Sequence, residues 1–265
     1  MPTRVHKLAR PFLTACLGLL VGVTLLAQRG GYQGGFNSYS GNNKYDGRFT
    51  FVRISYSESM SGFGRGRGAM WAHDWPTGEE HFMKIMNALT VVPLHIQEHN
   101  IMSLTDPDLF KFPVIYLVEP GSWNMSDAEA LALRAFLQKG WFLIIDDMGG
   151  GTGRRPDQWP NLEYQMSRVF PQGKWADIEA THPIFHSFYE ILKPHDIPQY
   201  YDAGLPMFRG IYEDNDPNKR LMVFVNYNTD ISEFWEWSDS GLKPMDESNE
   251  AYKLGINEFM YGIIH

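Results

Sequence analysis

A single cysteine, Cys16, stands in 265 residues, and it falls inside the first apolar run. If that run is removed, the chain keeps no disulfide, no thiolate nucleophile and no cysteine metal ligand. Its core must then hold by burial alone, which 43% hydrophobic residues with 8 Trp, 13 Tyr and 17 Phe allow. Positive charge is also scarce, since 23 Lys and Arg stand against 31 Asp and Glu for a formal charge of −8. So acidic a chain repels phosphate, which argues against nonspecific binding to nucleic acid.

What is present begins with an export signature. Residues 1–10 carry Arg4, Lys7 and Arg10 without an acid, residues 12–26 are apolar, and Ala27-Gln28 follows. That is the basic, apolar, small-residue order of a secretory signal. Removing residues 1–27 takes three cations and no anion, so the formal charge moves from −8 to −11. The apolar run is slightly shorter than the roughly 20 residues of a membrane span. Cleavage after Ala27, a retained membrane tether through residues 11–27, and a lipobox ending at Cys16 all stay open. Each predicts an exported protein, periplasmic or held in the cell envelope. Residues 28–47 (QRGGYQGGFNSYSGNNKYDG) are almost free of aliphatic side chains and read as a flexible linker.

From residue 48 to residue 265 strand and helix patterns alternate. Strands are predicted over residues 49–56 (FTFVRISY), 91–96, 114–119 (VIYLVE), 141–146 (WFLIID) and 221–226 (LMVFVN). Helices are predicted over residues 78–89, 126–139, 161–169 and 248–264, the second opening on the capping box Ser126–Glu129 and closing at Gly140. Such alternation implies βαβ units, hence one three-layer α/β domain with a mainly parallel sheet.

Ligands of such sheets sit beyond the carboxyl ends of the strands. After the first strand, Arg65 and Arg67 lie in a glycine-rich stretch able to wrap an anion, and His73-Asp74 offers a ligand or base. Gly64-x-Gly66-x-x-Ala69 imitates a dinucleotide fingerprint, but Trp71–Pro76 intervenes where a helix should open, so that reading is rejected. Glu119 ends one strand. Asp146 and Asp147 end another before three glycines, and paired carboxylates hold a divalent cation or divide into acid and base. Alternation predicts that one of the two faces the crevice. His182 and His186 stand four apart without the glutamate of a zinc-protease motif, and Trp235 with Trp237 offers either core or a sugar-stacking surface. No motif specifies a cofactor.

The ordered segments FTFVRISY, WAHDWP, DPDLFKFPVIYLVEPG, LRAFLQKGWFLIIDDMGG, VFP, HPIFHSFYEI and AYKLGINEFMYGIIH resemble the bacterial domain-of-unknown-function family 4159 over residues 48–265. More distantly the chain looks like the class I glutamine-amidotransferase-like fold, of flavodoxin-like α/β type. That resemblance implies a nucleophile elbow, Gly-x-Cys-x-Gly, and lays Asp147 where its cysteine would stand. Glutaminase chemistry needs the thiolate that is missing. The expectation is therefore a non-catalytic or ligand-binding envelope domain whose crevice is lined by Glu119, Asp146, Asp147 and the Arg65/Arg67 stretch. The alternative is a hydrolase of a carbohydrate or ester, with Asp147 as nucleophile or metal ligand and His182 or His73 as base. A structural partner of an envelope protein is the third class.

Overall fold

Apolar, β-branched runs and amphipathic runs resolve into the strands and helices their periods predict. The computed structural model describes residues 41–58, 69–151, 156–199 and 204–265. The signal segment, most of the linker, Arg65 and Arg67 lie outside these described residues. Strands are β1 (Phe49–Ile54), β2 (Ser57–Glu58), β3 (Leu94–Met102), β4 (Val114–Val118), β5 (Trp123–Asn124), β6 (Phe142–Met148), β7 (Ala176–Asp177), β8 (Met207–Tyr212) and β9 (Leu221–Tyr227). Helices are α1 (Thr77–Leu89), α2 (Asp127–Gln138), α3 (Trp159–Val169), α4 (Ile231–Glu236) and α5 (Met245–Ile264). No helix among the described residues is long and apolar enough to cross a membrane.

Seven strands form one sheet in the order β3-β1-β4-β6-β9-β8-β7. The first five are parallel, and β8 and β7 extend the sheet antiparallel beyond β9. The chain runs outward from β1 to β3, then returns across β1 to β4 and moves the other way through β6 to β9. Helices cover both faces, and the reversal falls between the carboxyl ends of β1 and β4, the position at which ligands of such sheets bind. On one face Phe51, Tyr116 and Ile144 pack with α1, α4 and α5. On the other Val52, Ile115 and Ile145 pack with α2 and α3. Alternate residues of each strand thus serve opposite layers.

Three local results depart from the periodicity. The third strand begins at Leu94 and runs to Met102, later than residues 91–96, because Pro93 has no amide hydrogen to join a ladder. Strand β8 (MFRGIY) was missed, its alternation broken by Arg209 and Gly210. The last residues of the segment read as a linker dock on β3: Asn42 exchanges two 2.8 Å bonds with the Ile101 backbone, and the Asn43 amide donates to Asn100 Oδ1 at 2.7 Å. Side-chain amides thereby satisfy an edge strand that would otherwise offer its backbone to another chain.

Helix α5 approaches its neighbours through glycine. A Cβ on Gly255 would stand 2.4 Å from Trp235 Cζ2 and 2.9 Å from Phe82 Cε2. Both rings are fully buried and packed on each other at 4.4 Å, so neither can yield. Gly255→Ala gains about 1 kcal/mol of helix propensity but meets an overpacking cost of about 1–3 kcal/mol. The expected net result is a lower Tm in thermal denaturation. A Tm at or above that of the wild type would show that the rings can move apart.

Candidate functional site

The site starts from a charged residue in the middle of an apolar strand. Arg53 of β1 has a side chain only 1% exposed and pairs with the equally buried Glu79 in the first turn of α1. Its Nη1 also donates to the backbone oxygens of Trp71 and His73, each at 3.0 Å. One guanidinium therefore ties strand, helix and the intervening turn together, and it fixes where His73 and Asp74 stand. The Gly78 amide donates to the Asp74 backbone oxygen at 2.8 Å and starts α1 from that turn.

Strand β6 brings the second group. Asp146 is still in register with Val118 of β4, but Asp147, at φ +52°, lies in the bulge where the pairing of β6 with β9 shifts before Met148. This break directs the two neighbours to different partners. Asp146 Oδ2 accepts from the Tyr116 hydroxyl at 2.5 Å and from the Ser232 amide at 3.1 Å, and Oδ1 accepts from the Ile231 amide at 3.3 Å. It anchors the start of α4. Asp147 Oδ2 instead lies 2.6 Å from His73 Nδ1.

The third group follows β9. Asp230 caps α4, its Oδ1 accepting from the Glu233 amide at 2.9 Å. Ser232 Oγ lies 2.7 Å from Asp74 Oδ2 and 3.1 Å from Asp230 Oδ1. Its one hydrogen can serve only one of them. His73, Asp74, Asp147 and Asp230 each place one nitrogen or oxygen within 4.8 Å of all the others. Of these, His73 reaches the surface most, at 20% side-chain exposure, while Asp147 has none. Asp74, Glu119, Asp147 and Asn228 all have φ between +50° and +60° along this edge. Non-glycine residues keep that conformation only where the surroundings hold them.

Crowded carboxylates shift one another. Burial first, and then the charges of Asp147, Asp74 and Asp146, push Asp230 well above the ordinary aspartate value. Burial and Asp147 raise Asp146 to about 6, against the opposing Tyr116 hydrogen bond. Burial draws His73 down, but Asp74 and Asp147 overcome it and hold the imidazole well above 6.5.

The sequence candidates divide accordingly. Asp74, Asp146 and Asp147 meet at one edge, with His73. Glu119 is not one of the four clustered donors; its Oε2 accepts from Gln158 Nε2 at 2.7 Å at the entry to α3. His182 is corrected: it is not brought to Asp147. Its ring lies against Tyr212 and Tyr261, 5.8 and 5.6 Å away, and Tyr261 packs on Phe142 at the opposite end of β6. Roughly 16 Å of strand separates Phe142 from Asp147. His186 pairs with Glu190, not with His182. Trp235 is core, buried between Phe82 and Tyr116, and offers no stacking surface. Asp230 and Arg53 were missed. Asp230 follows the carboxyl end of the last parallel strand, β9, the same kind of position that marks Asp146 and Asp147 in the sequence.

A family model for a domain of unknown function (DUF4159) matches residues 50–263. The chain belongs to the DUF4159 family. The DUF4159 match runs from β1 to the last turn of α5, so every residue of the cluster lies inside it. No curated protein matches the chain.

Proposed function

We propose that this DUF4159 domain is a ligand-binding, non-catalytic domain of glutamine-amidotransferase-like type, working in the cell envelope. The observation that carries the reading is the state of Asp147. It lies near the carboxyl end of β6 with a strained backbone, yet its side chain has no solvent exposure and is held by His73 at 2.6 Å. A nucleophile must reach its substrate. The absence of a thiol beyond Cys16 and the export signature at residues 1–27 support the same reading. The ligand is a small molecule or a segment of an envelope protein, met at the crevice beyond β1, β4 and β6.

The test is an activity panel of chromogenic esters and glycosides together with glutamine, run on the full chain. The expected result is no release above the buffer rate. A ligand found by thermal-shift screening should bind about tenfold or more weakly to Asp147→Asn. Reproducible turnover that Asp147→Asn abolishes would overturn the reading in favour of a hydrolase. The 2.6 Å contact specifically favours His73, not His182, as the acid–base partner of Asp147 in that case.

A further inference from the structure

We infer that His73, Asp74, Asp147 and Asp230 form a binding site for one divalent first-row cation. The inference rests on reading this edge as a ligand site, and it names the first ligand. The four donors come from three distant stretches: the turn after β1, the end of β6 and the residues after β9. Their mutual separations of at most 4.8 Å put all four within about 3 Å of a common centre, so side-chain shifts of roughly half an ångström bring them to metal–ligand distances of roughly 2.1–2.4 Å. One imidazole with three carboxylates is a borderline-hard set, suited to Zn²⁺ or Mn²⁺ rather than to soft ions. Four protein donors leave positions for water or an oxygen-bearing ligand on a six-coordinate ion.

Clustered acids alone do not make a site; the hydrogen-bond deficit does. Asp230 has no solvent exposure, and its Oδ2 has no hydrogen-bond partner among the described residues. Asp74 Oδ1 is buried without a geometrically formed hydrogen bond, with His73 Nδ1 3.3 Å away but directed at Asp147 and the Glu236 carboxyl as its other polar neighbour. A buried carboxylate oxygen without a donor is costly, and a bound cation removes that cost for both residues at once. The supporting contacts are already in place. Ser232 Oγ donates to Asp74, the nearer at 2.7 Å, and the Glu233 amide holds Asp230 Oδ1. Binding releases the proton held between His73 Nδ1 and Asp147 Oδ2 to solvent and opens their 2.6 Å contact by about half an ångström, since two ligands on one ion stand roughly 3 Å or more apart.

The experiment titrates the chelator-treated full chain with MnCl₂ and with ZnCl₂ alone, by calorimetry and elemental analysis. One ion per chain is expected, at micromolar affinity or tighter. Asp230→Asn and Asp74→Asn should each weaken it at least about 100-fold, beyond the roughly 10–100-fold lost with a merely supporting partner. Asparagine at 230 keeps an oxygen for the Glu233 amide, and a melting curve verifies folding of both variants. No binding at about 1 mM, or unchanged affinity in both folded variants, overturns the site. An ion bound together with turnover lost in Asp147→Asn leaves the site standing and removes the non-catalytic reading. An organic ligand bound without any ion does the reverse.

Discussion

Arg53→Met is expected to destabilise the domain by about 3–5 kcal/mol, the range measured when one partner of a buried ion pair is removed. Burial is complete on both sides, so solvent cannot take the place of the lost guanidinium. Glu79 is left without its cation. Burial already raises its carboxyl to about 7 against the lowering influence of Arg53, so the variant's Glu79 should retain its proton to still higher pH. The backbone oxygens of Trp71 and His73 lose their donor as well. At roughly 2–4 °C per kcal/mol for a domain of this size, Tm should fall by about 10 °C. The double variant Arg53→Met/Glu79→Leu should recover much of the loss, because an apolar pair of similar volume often replaces a buried ion pair at little net cost. Chemical denaturation of both variants checks this. A single variant within about 1 kcal/mol of the wild type would mean that Arg53 does not hold the turn. The same substitution should weaken the cation site, because His73 is positioned through its backbone.

Raising the pH from 6.5 to 8.5 without divalent cations is expected to lower Tm by about 5 °C or more. Burial raises Glu79 to about 7 and, with Asp74 and Glu233, raises Glu236 to about 8. Burial and neighbouring charge hold Asp230 well above its ordinary range; burial and Asp146 do the same to Glu258. His73 is raised too, by Asp74 and Asp147 against burial. In each case the folded value lies above the unfolded one. The stability they contribute is therefore complete below the unfolded values and is lost as pH climbs through the folded ones. His99 and His182, drawn down to about 4 by burial, act in the opposite direction, but only below about 6.5. The chosen window avoids them. Each proton held only by the folded state is worth about 1.4 kcal/mol per pH unit, so two such groups suffice for the expected fall. Melting curves across the window decide it. A flat or rising Tm would mean that these acids are ionised in the folded chain. Asp230→Asn should flatten the dependence and raise Tm at pH 8.5, the reverse of its effect on cation affinity.

The sequence by itself determined the layers. Residues 114–118 and 142–145 are apolar without interruption because both faces of those strands are covered. Ser126 to Gly140 starts and stops α2 with local bonds that need no other part of the chain. Chemistry was legible in the same way: past Cys16 the sequence holds no thiol, wherever the chain folds. Asp146 and Asp147 were identified as a strand end, but their roles could not be separated, because that depends on where β6 breaks its pleat. Only the tertiary structure decided that Asp147 meets His73 and that Asp146 anchors α4. It also joined Asp74 to Ser232, 158 residues further along the chain. Periodicity reports which face of an element is apolar, since each residue contributes there independently. A polar cluster depends instead on the register and crossover of three separate elements, and no local pattern encodes how those meet.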